Sequence, residues 1–375
     1  MSKIISTFAP AMHFFEGTYY VLVIAMFLMG VFSFFVPVRK DKRLNNYRIS
    51  LCLIGASYIA LGLYCLFKWN YPIQLFSTPF LFMSSLQAVL LGLSHINLVN
   101  PLRISRRFVF YCLAPWIILC LAYIVLVIFL PHVELSSYAV LRDNWYNPEV
   151  LLRLVWMALY VSSIVIYSVI FYREERKYRR KALDFFSEDT KIDLRLVRFS
   201  YTAALLVGCT TVAITCSLDR DICGWLNIVI LVLYIIMGLL FVRYPSLFFE
   251  VSPVFSNDEK QTDKAEIGDW STLRGHIIES RSYLKEGITL EQMARELGVS
   301  RNKLSALING SEGVNFNTFV NTLRIGEAER LIKDNPNLAL AEIAIMVGYS
   351  EPANFSRQFK KVKGVSPAEF RRENT

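Results

Sequence analysis

Charge is scarce in this chain: only 19% of its 375 residues are Asp, Glu, Lys or Arg, while 54% are hydrophobic. A water-soluble domain carries about a quarter charged residues, so part of the chain is expected in a non-aqueous solvent. The deficit is local. Residues 17–243 hold nearly all the long apolar runs, and residues 255–375 read as an ordinary soluble domain. Cysteine is missing after Cys223, and none of the seven cysteines stands in a CxxC or a Cys/His cluster. That removes the usual signature of a metal site, and no metal or cofactor is expected. No HExxH, GxSxG, DxxD-type metal pair or phosphate loop stands in a catalytic context, so no catalytic residue is assigned and an enzyme is not expected. The first apolar run lacks a small-residue cleavage site, begins late and is too long to be a signal peptide.

What is present is a series of apolar runs. Seven stretches have the roughly 20 apolar residues needed to cross about 30 Å of hydrocarbon. They are 18–38, 49–68, 78–99, 108–130, 150–172, 199–218 and 224–243. One set of connecting loops carries 17 Lys and Arg, among them Arg43, Arg106, Arg179 and Lys191, against 4 on the opposite side. The positive-inside rule then places the N-terminus outside and the C-terminus in the cytoplasm, as for a multi-pass protein of a bacterial inner membrane. The longest outside segment, 131–149, is too short to fold as a sensor domain of its own. A small-molecule or protein signal of unknown identity must therefore be read in the bundle, at its outer mouth or through a partner. Within the spans, Gln87, His95 and Asn227 are expected to hydrogen-bond neighbouring helices. Arg153 is near enough to a span end to snorkel towards water.

Pro245 stops the last run, and the polar stretch 250–269 reads as a flexible linker. Helical periodicity resumes at Trp270 with Leu273, Ile277 and Leu284. In 288–309, Thr289 and Gln292 form a capping box. Leu290, Met293, Ala294 and Leu297 follow at i, i+3, i+4 and i+7, one buried face. Gly298 allows a left-handed turn, and Ser300 caps a second helix that buries Leu304, Leu307 and Ile308. The same grammar returns at an offset of 50 residues in Leu340, Ile343, Ala344, Val347 and Gly348. After a turn one residue longer, Phe355 and Phe359 answer Leu304 and Ile308, and Pro352 opens the second helix. Phe319, Leu323, Ala328, Leu331 and Ile332 mark a long helix between the repeats, and Ser366-Pro367-Ala368-Glu369 starts a short final one. Two helix-turn-helix units, each with a basic second helix, point to DNA.

Residues ~275–372, and most specifically 342–372 (EIAIMVGYSEPANFSRQFKKVKGVSPAEFRR), resemble the DNA-binding domain of the AraC/XylS transcription regulators. Arg324, Ala328, Leu331 and Ile332 fit that family's connecting helix. The resemblance implies two recognition helices entering successive major grooves on one face of the DNA. It covers about a quarter of the chain. The soluble ligand-binding or dimerisation domain usual in the family is replaced by the apolar runs, so the family's ligands do not carry over.

The expected architecture is all-α: an outer N-terminus (1–17), a seven-helix membrane domain (18–243), a linker (244–269) and a double helix-turn-helix domain (270–375). With the inner faces buried, the DNA-facing residues are Arg301, Asn302, Ser305, Ala306 and Asn309 in the first unit. In the second they are Ala353, Ser356, Arg357 and Lys360, with Lys361 and Lys363 nearby. Arg357 and Asn302 are the expected base readers, because Arg pairs with guanine and Asn with adenine. Lys360 and Lys361 are expected on phosphates. Ala306 and Ala353 stand where the family often has long polar side chains, leaving at most a thymine-methyl contact. From residue 270 onward the net charge is only +3, from 15 Lys and Arg against 12 Asp and Glu. Weak binding by one domain favours a homodimer on paired sites. The expected function is sequence-specific transcription regulation from the membrane, with double-stranded DNA and the lipid bilayer as partners. The flexible linker would transmit the signal by bundle association. The alternative is a transporter or channel with a regulatory DNA-binding tail.

Overall fold

The computed structural model describes residues 2–36, 45–67, 73–100, 103–188, 194–242, 254 and 270–374. Among the described residues there is no β-strand, and the β-type pairing is an isolated antiparallel bridge between Phe186 and Thr289. The chain divides into two compact units. One comprises Met1–Glu175 with Leu194–Ser252; the other comprises Arg176–Asp193 with Pro253–Thr375. All but one residue of the expected linker, 244–269, lie outside the described residues.

The first unit is helical: α1 (Ser2–Phe35), α2 (Asn45–Phe67), α3 (Thr78–Val99), α4 (Arg106–Phe129), α5 (Tyr138–Asp143), α6 (Pro148–Leu183, whose residues from Arg176 on belong to the second unit), α7 (Arg195–Thr215) and α8 (Arg220–Val242). Five of these, α3, α4, α6, α7 and α8, are long and apolar enough to cross a membrane. The expected spans 18–38 and 49–68 fall on α1 and α2, of which the apolar stretch Tyr19–Phe35 is shorter than a full span. Five, not seven, is therefore the count among the described residues.

Small residues let these helices approach. A Cβ on Gly30 of α1 would lie 2.9 Å from the Gly55 carbonyl oxygen of α2, and one on Gly92 of α3 would lie 2.8 Å from the Tyr167 ring of α6. Backbones meet this closely only where no side chain intervenes. Helix α3 is the most enclosed. Its His95 is buried, with Nδ1 2.8 Å from the Leu91 carbonyl and Nε2 2.9 Å from Ser200 Oγ of α7. Helix α4 is the opposite: only Leu119 of its 24 residues is buried. Arg153 does not snorkel. It is 1% exposed and ion-paired with Glu149 one turn earlier, whose carboxylate also accepts from the Val133 N–H at 2.8 Å. The Glu149 carboxylate supplies the counter-charge that a guanidinium this deep needs, and this holds the side chain inside.

The second unit holds α9 (Trp270–Glu279), α10 (Leu290–Glu296), α11 (Arg301–Glu312), α12 (Phe316–Asp334), α13 (Leu340–Met346), α14 (Pro352–Lys363) and α15 (Pro367–Asn374). Both halves of the capping box at Thr289 and Gln292 form, satisfying two N-terminal donors of α10. Gly298 and Gly348 lie at φ +69° and +90°, where a Cβ is disfavoured. Two apolar cores result. Met293, Ala294, Leu304, Ile308 and Phe319 enclose the first, and Ile343, Ala344, Val347, Phe355 and Phe359 the second. Helix α12 contributes Phe319 and Val320 to one core and Ile325 and Ala328 to the other, so it is the spine that joins the two pairs.

A third component of this unit is the segment just after α6. The Phe185 carbonyl accepts from the Leu290 N–H at 2.9 Å, supplying a partner for a free donor at the start of α10. The Phe186 and Ser187 carbonyls accept from Asn317 Nδ2 at 3.2 Å and Asn321 Nδ2 at 3.0 Å. The buried Glu188 carboxylate accepts from Gly287 N–H at 3.0 Å through one oxygen and from Ser350 Oγ at 2.6 Å through the other.

Candidate nucleic-acid interface

A helix that reads DNA must be held by its inner face and left open on its outer one. Helix α14 meets both conditions. Pro352 stands in its first turn, where no backbone donor is needed, and Gly364 ends it at φ +82°. Phe355 and Phe359 are buried, while Ala353, Ser356, Arg357, Lys360 and Lys361 are exposed along the opposite face. Lys360, Lys361 and Lys363 occupy the last turn, where the helix dipole favours positive charge. Lys363 is engaged within the protein: its ammonium pairs with Glu329 of α12, which also takes Lys333 at 2.9 Å. These lysines, Lys363 first, hold the Glu329 carboxyl below the usual carboxylate range. Among the described residues Arg357 and Lys361 form no ion pair, which leaves their charge available to an outside anion.

Helix α11 is capped by Ser300, whose Oγ accepts from Lys303 N–H at 3.3 Å, and it ends at Gly313 with φ +67°. Asn302, Ala306 and Asn309 are exposed and Ser305 is half-buried. Arg301 departs from the expectation of an open groove face. It is only 9% exposed, and its guanidinium lies 5.6 Å from the centre of the Phe185 ring. At the other end of α11, Asn309 Nδ2 donates to Ser305 Oγ at 3.3 Å. Burial raises the Asp184 carboxyl above its ordinary value. Among the described residues the start of α11 is thus nearly buried at Arg301, whereas Ser356, Arg357, Lys360 and Lys361 of α14 are exposed.

The two units are locked to each other by a residue the sequence places but does not explain. Arg324 of α12 is fully buried. Its Nε donates to the Tyr283 carbonyl at 2.7 Å and its Nη2 to the Lys285 carbonyl at 2.8 Å. Its guanidinium also stands 5.2 Å from the Tyr349 ring centre. It therefore ties the turn before the first unit to the turn inside the second. Reasoning on the sequence missed the roles of Asp184, Phe185 and Glu188. The available signal was Asn317 and Asn321, two amides one turn apart on the inner face of an otherwise apolar helix.

Comparison with known proteins finds relatives of part of this chain. A helix-turn-helix domain family model matches residues 293–373, from the middle of α10 to the end of α15. The probable transcription factor PqrA of Proteus vulgaris is 30% identical over 98 residues, which is 26% of this chain and 80% of PqrA. The chain belongs to the AraC-type helix-turn-helix transcription regulators. A second AraC-type relative, the regulator GlxA of Rhizobium meliloti, is 37% identical over 82 residues, 22% of this chain and 25% of GlxA. Among solved structures, the C-terminal domain of the response regulator AraT from Geobacillus stearothermophilus is 32% identical. It covers 29% of this chain and 88% of its own, with a TM-score of 0.26. The chain thus spans most of PqrA but only 12% of YtdP of Bacillus subtilis, to which it is 30% identical over 98 residues. Both recognition helices lie inside the matched residues; the covering segment 184–188 lies outside them.

Proposed function

We propose that this protein is a membrane-embedded AraC-type regulator, which binds double-stranded DNA in a sequence-specific way and couples a membrane or extracytoplasmic signal to transcription. The observation that carries the membrane part of this reading is α4. Ile118, Leu121, Ile124, Ile128 and Phe129 are each more than half exposed along it. Water does not tolerate a contiguous apolar helix face of that size, whereas lipid does. With five such helices joined in sequence to an AraC-type domain, the chain needs both a bilayer and DNA. The basic connecting loops favour a cytoplasmic C-terminus.

On DNA, Arg357 and Asn302 are the base readers in this reading, with Ser305, Asn309 and Ser356 beside them. Lys360 and Lys361 bind phosphate and set the register. Ala353 leaves room for a thymine methyl group. Arg301, 9% exposed at the start of α11, is the least accessible of these residues. A homodimer would supply the affinity that one domain of low net charge lacks.

Three measurements on the full-length chain test the proposal together. The protein should stay in the membrane pellet after an alkaline wash. A reporter active only outside the inner membrane should work when fused after Tyr146 and stay silent after Thr375. Duplexes selected by the detergent-solubilised protein from a random library should share one motif. Release into the supernatant, or an active reporter after Thr375, would overturn the membrane reading. Recovery of unrelated duplexes would overturn sequence-specific binding.

A further inference from the structure

Helix α4 leaves a cleft beside it in the first unit. The cleft has a volume of about 310 Å³ and runs between α4 and α6, with α3 as its floor. Its lining extends from Phe108 to Leu119 on α4 and from Trp156 to Ile170 on α6. At about 1.5 Å per residue those stretches are roughly 17 and 21 Å long. The two helices run antiparallel there: Arg103 lies 3.9 Å from Glu174 at one end, and the Tyr123 and Trp156 ring centres are 6.4 Å apart at the other. The space is therefore long and narrow. Its floor is buried at Ser85, Val89 and Trp156, while Tyr111, Leu159 and Ile166 are exposed along its open side. Among the described residues no charged side chain lines it. Its serines spend their donors on backbone: Ser162 and Ser163 donate to the Ala158 and Tyr160 carbonyls at 2.7 Å, and Ser85 donates to the Leu81 carbonyl at 2.6 Å. Both indoles are also committed, Trp156 Nε1 to Ser85 Oγ and Trp116 Nε1 to the Phe82 carbonyl, each at 3.1 Å. Just beyond Phe108, at the start of α4, Arg106 and Arg107 are exposed and form no ion pair among the described residues.

We propose that this cleft binds one anionic phospholipid, with an acyl chain between α4 and α6 and its phosphate at Arg106 and Arg107. The inference rests on the membrane reading above and names a ligand for the membrane domain. Three physical points carry it. The first is chemistry. Water finds too few polar partners in such a cleft, and a void forfeits the contacts of every atom around it, so hydrocarbon is the occupant that costs least. The second is length. Half of a hydrocarbon core of roughly 30 Å is about 15 Å, so a chain from one leaflet matches the cleft. The third is charge. With the basic loops inside, α4 begins on the cytoplasmic side, and the phosphate of a lipid in that leaflet lies level with Arg106 and Arg107. Guanidinium binds phosphate through paired hydrogen bonds. A zwitterionic lipid offers the same chain but a head without net charge. Once filled, the cleft gives α4 a packed inner face, which the protein alone supplies only at Leu119.

The test uses quenching of Trp156, which lines the cleft and is only 1% exposed. Full-length protein with Trp156 as its sole tryptophan, the other five replaced by Phe, is placed in nanodiscs of phosphatidylcholine. Phosphatidylglycerol or phosphatidylcholine brominated near the chain end is then titrated in. Brominated phosphatidylglycerol should reach half-maximal quenching at a mole fraction on the order of tenfold lower than brominated phosphatidylcholine. Arg106→Gln with Arg107→Gln, both exposed, should erase that difference. Ser163→Phe, which fills the cleft, should protect Trp156 from either lipid. A protein whose sole tryptophan is Trp225, 62% exposed on α8, should be quenched by both lipids and reports insertion. Equal or absent quenching of Trp156 by the two lipids, with Trp225 quenched, overturns the lipid site and leaves the membrane reading intact. So does a preference for phosphatidylglycerol that survives the arginine substitutions, or an unprotected Trp156 in folded Ser163→Phe protein. If Trp225 also escapes both lipids, the membrane reading fails and the lipid site fails with it.

Discussion

A Cβ placed on Gly348 would lie 2.3 Å from the Leu284 carbonyl oxygen, closer than any side chain can stand to a backbone atom. The same glycine has φ +90°. The turn of the second helix-turn-helix is therefore packed directly on the backbone that precedes the first, with Arg324 Nη2 only 3.0 Å from the same Cβ position. Gly298, the matching turn glycine of the first unit, has the positive φ but open space around it.

This difference separates two substitutions that look equivalent in sequence. Gly298→Ala meets only the backbone preference, about 1–2 kcal/mol. Gly348→Ala meets that preference and an overlap with main chain that cannot move aside, which adds about 1–3 kcal/mol. Gly348→Ala should open the second unit to limited proteolysis in intact membranes and abolish duplex binding. Gly298→Ala should leave the protease pattern close to wild type. Equal sensitivity of the two variants would show that the approach to Leu284 is relieved by a small shift.

Arg324 donates to the Tyr283 and Lys285 carbonyls from a fully buried position. Hydrogen bonds from a charged group are each worth about 1.5–3 kcal/mol. Arg324→Met should cost roughly 3 kcal/mol or more and speed amide exchange at Tyr283–Glu286 and at Tyr349 together. Arg324→Lys retains the charge but not the planar fork, so it should fall between Met and wild type. Exchange confined to α12 would argue that Arg324 does not link the two turns.

Arg357 and Lys361 are exposed on α14 without an internal ion pair among the described residues, and they are expected to differ in what they read. Arg357→Ala should cost about 1–3 kcal/mol on the selected duplex and relax preference at one base pair. Lys361→Ala should weaken selected and random duplexes alike and lower the salt-dependence slope by about 0.9. Fluorescence anisotropy across a salt series measures both. An Arg357→Ala loss that is equal on the two duplexes would make it a phosphate contact.

Glu329 joins α12 to the end of α14 through Lys363 and also takes Lys333. These partners depress its carboxyl in the folded state. A depressed carboxylate gives stability that is present above its unfolded value of about 4.3 and lost as the pH falls through the lower folded value. Because the pair is partly exposed, the gain is about 1 kcal/mol or less. Protection of α14 against proteolysis should therefore hold at neutral pH, decline only below the ordinary glutamate range, and show a smaller decline in Glu329→Gln. A decline that begins near neutral pH would point to another group.

The two helix-turn-helix units were legible in the sequence because their determinants are local. Thr289 and Gln292 cap a helix they begin, Gly298 and Gly348 mark turns by their own φ, and Leu290, Met293 and Ala294 share a face by helical periodicity alone. Each depends on residues a few positions away, and an internal repeat stated the pattern twice. The apolar helices α3, α4, α6, α7 and α8 were legible for the same reason, since length and composition define them. Tertiary structure decided everything that runs between distant segments. Arg153 looked free to reach water until Glu149 and the Val133 backbone were seen to enclose it. Arg301 looked open to a groove until Phe185, more than a hundred residues earlier, was seen to cover it. The contacts of Phe186, Ser187 and Glu188 are made largely by backbone carbonyls and a lone carboxylate. A main-chain acceptor has no residue type, so no spacing or periodicity can announce where it will bind.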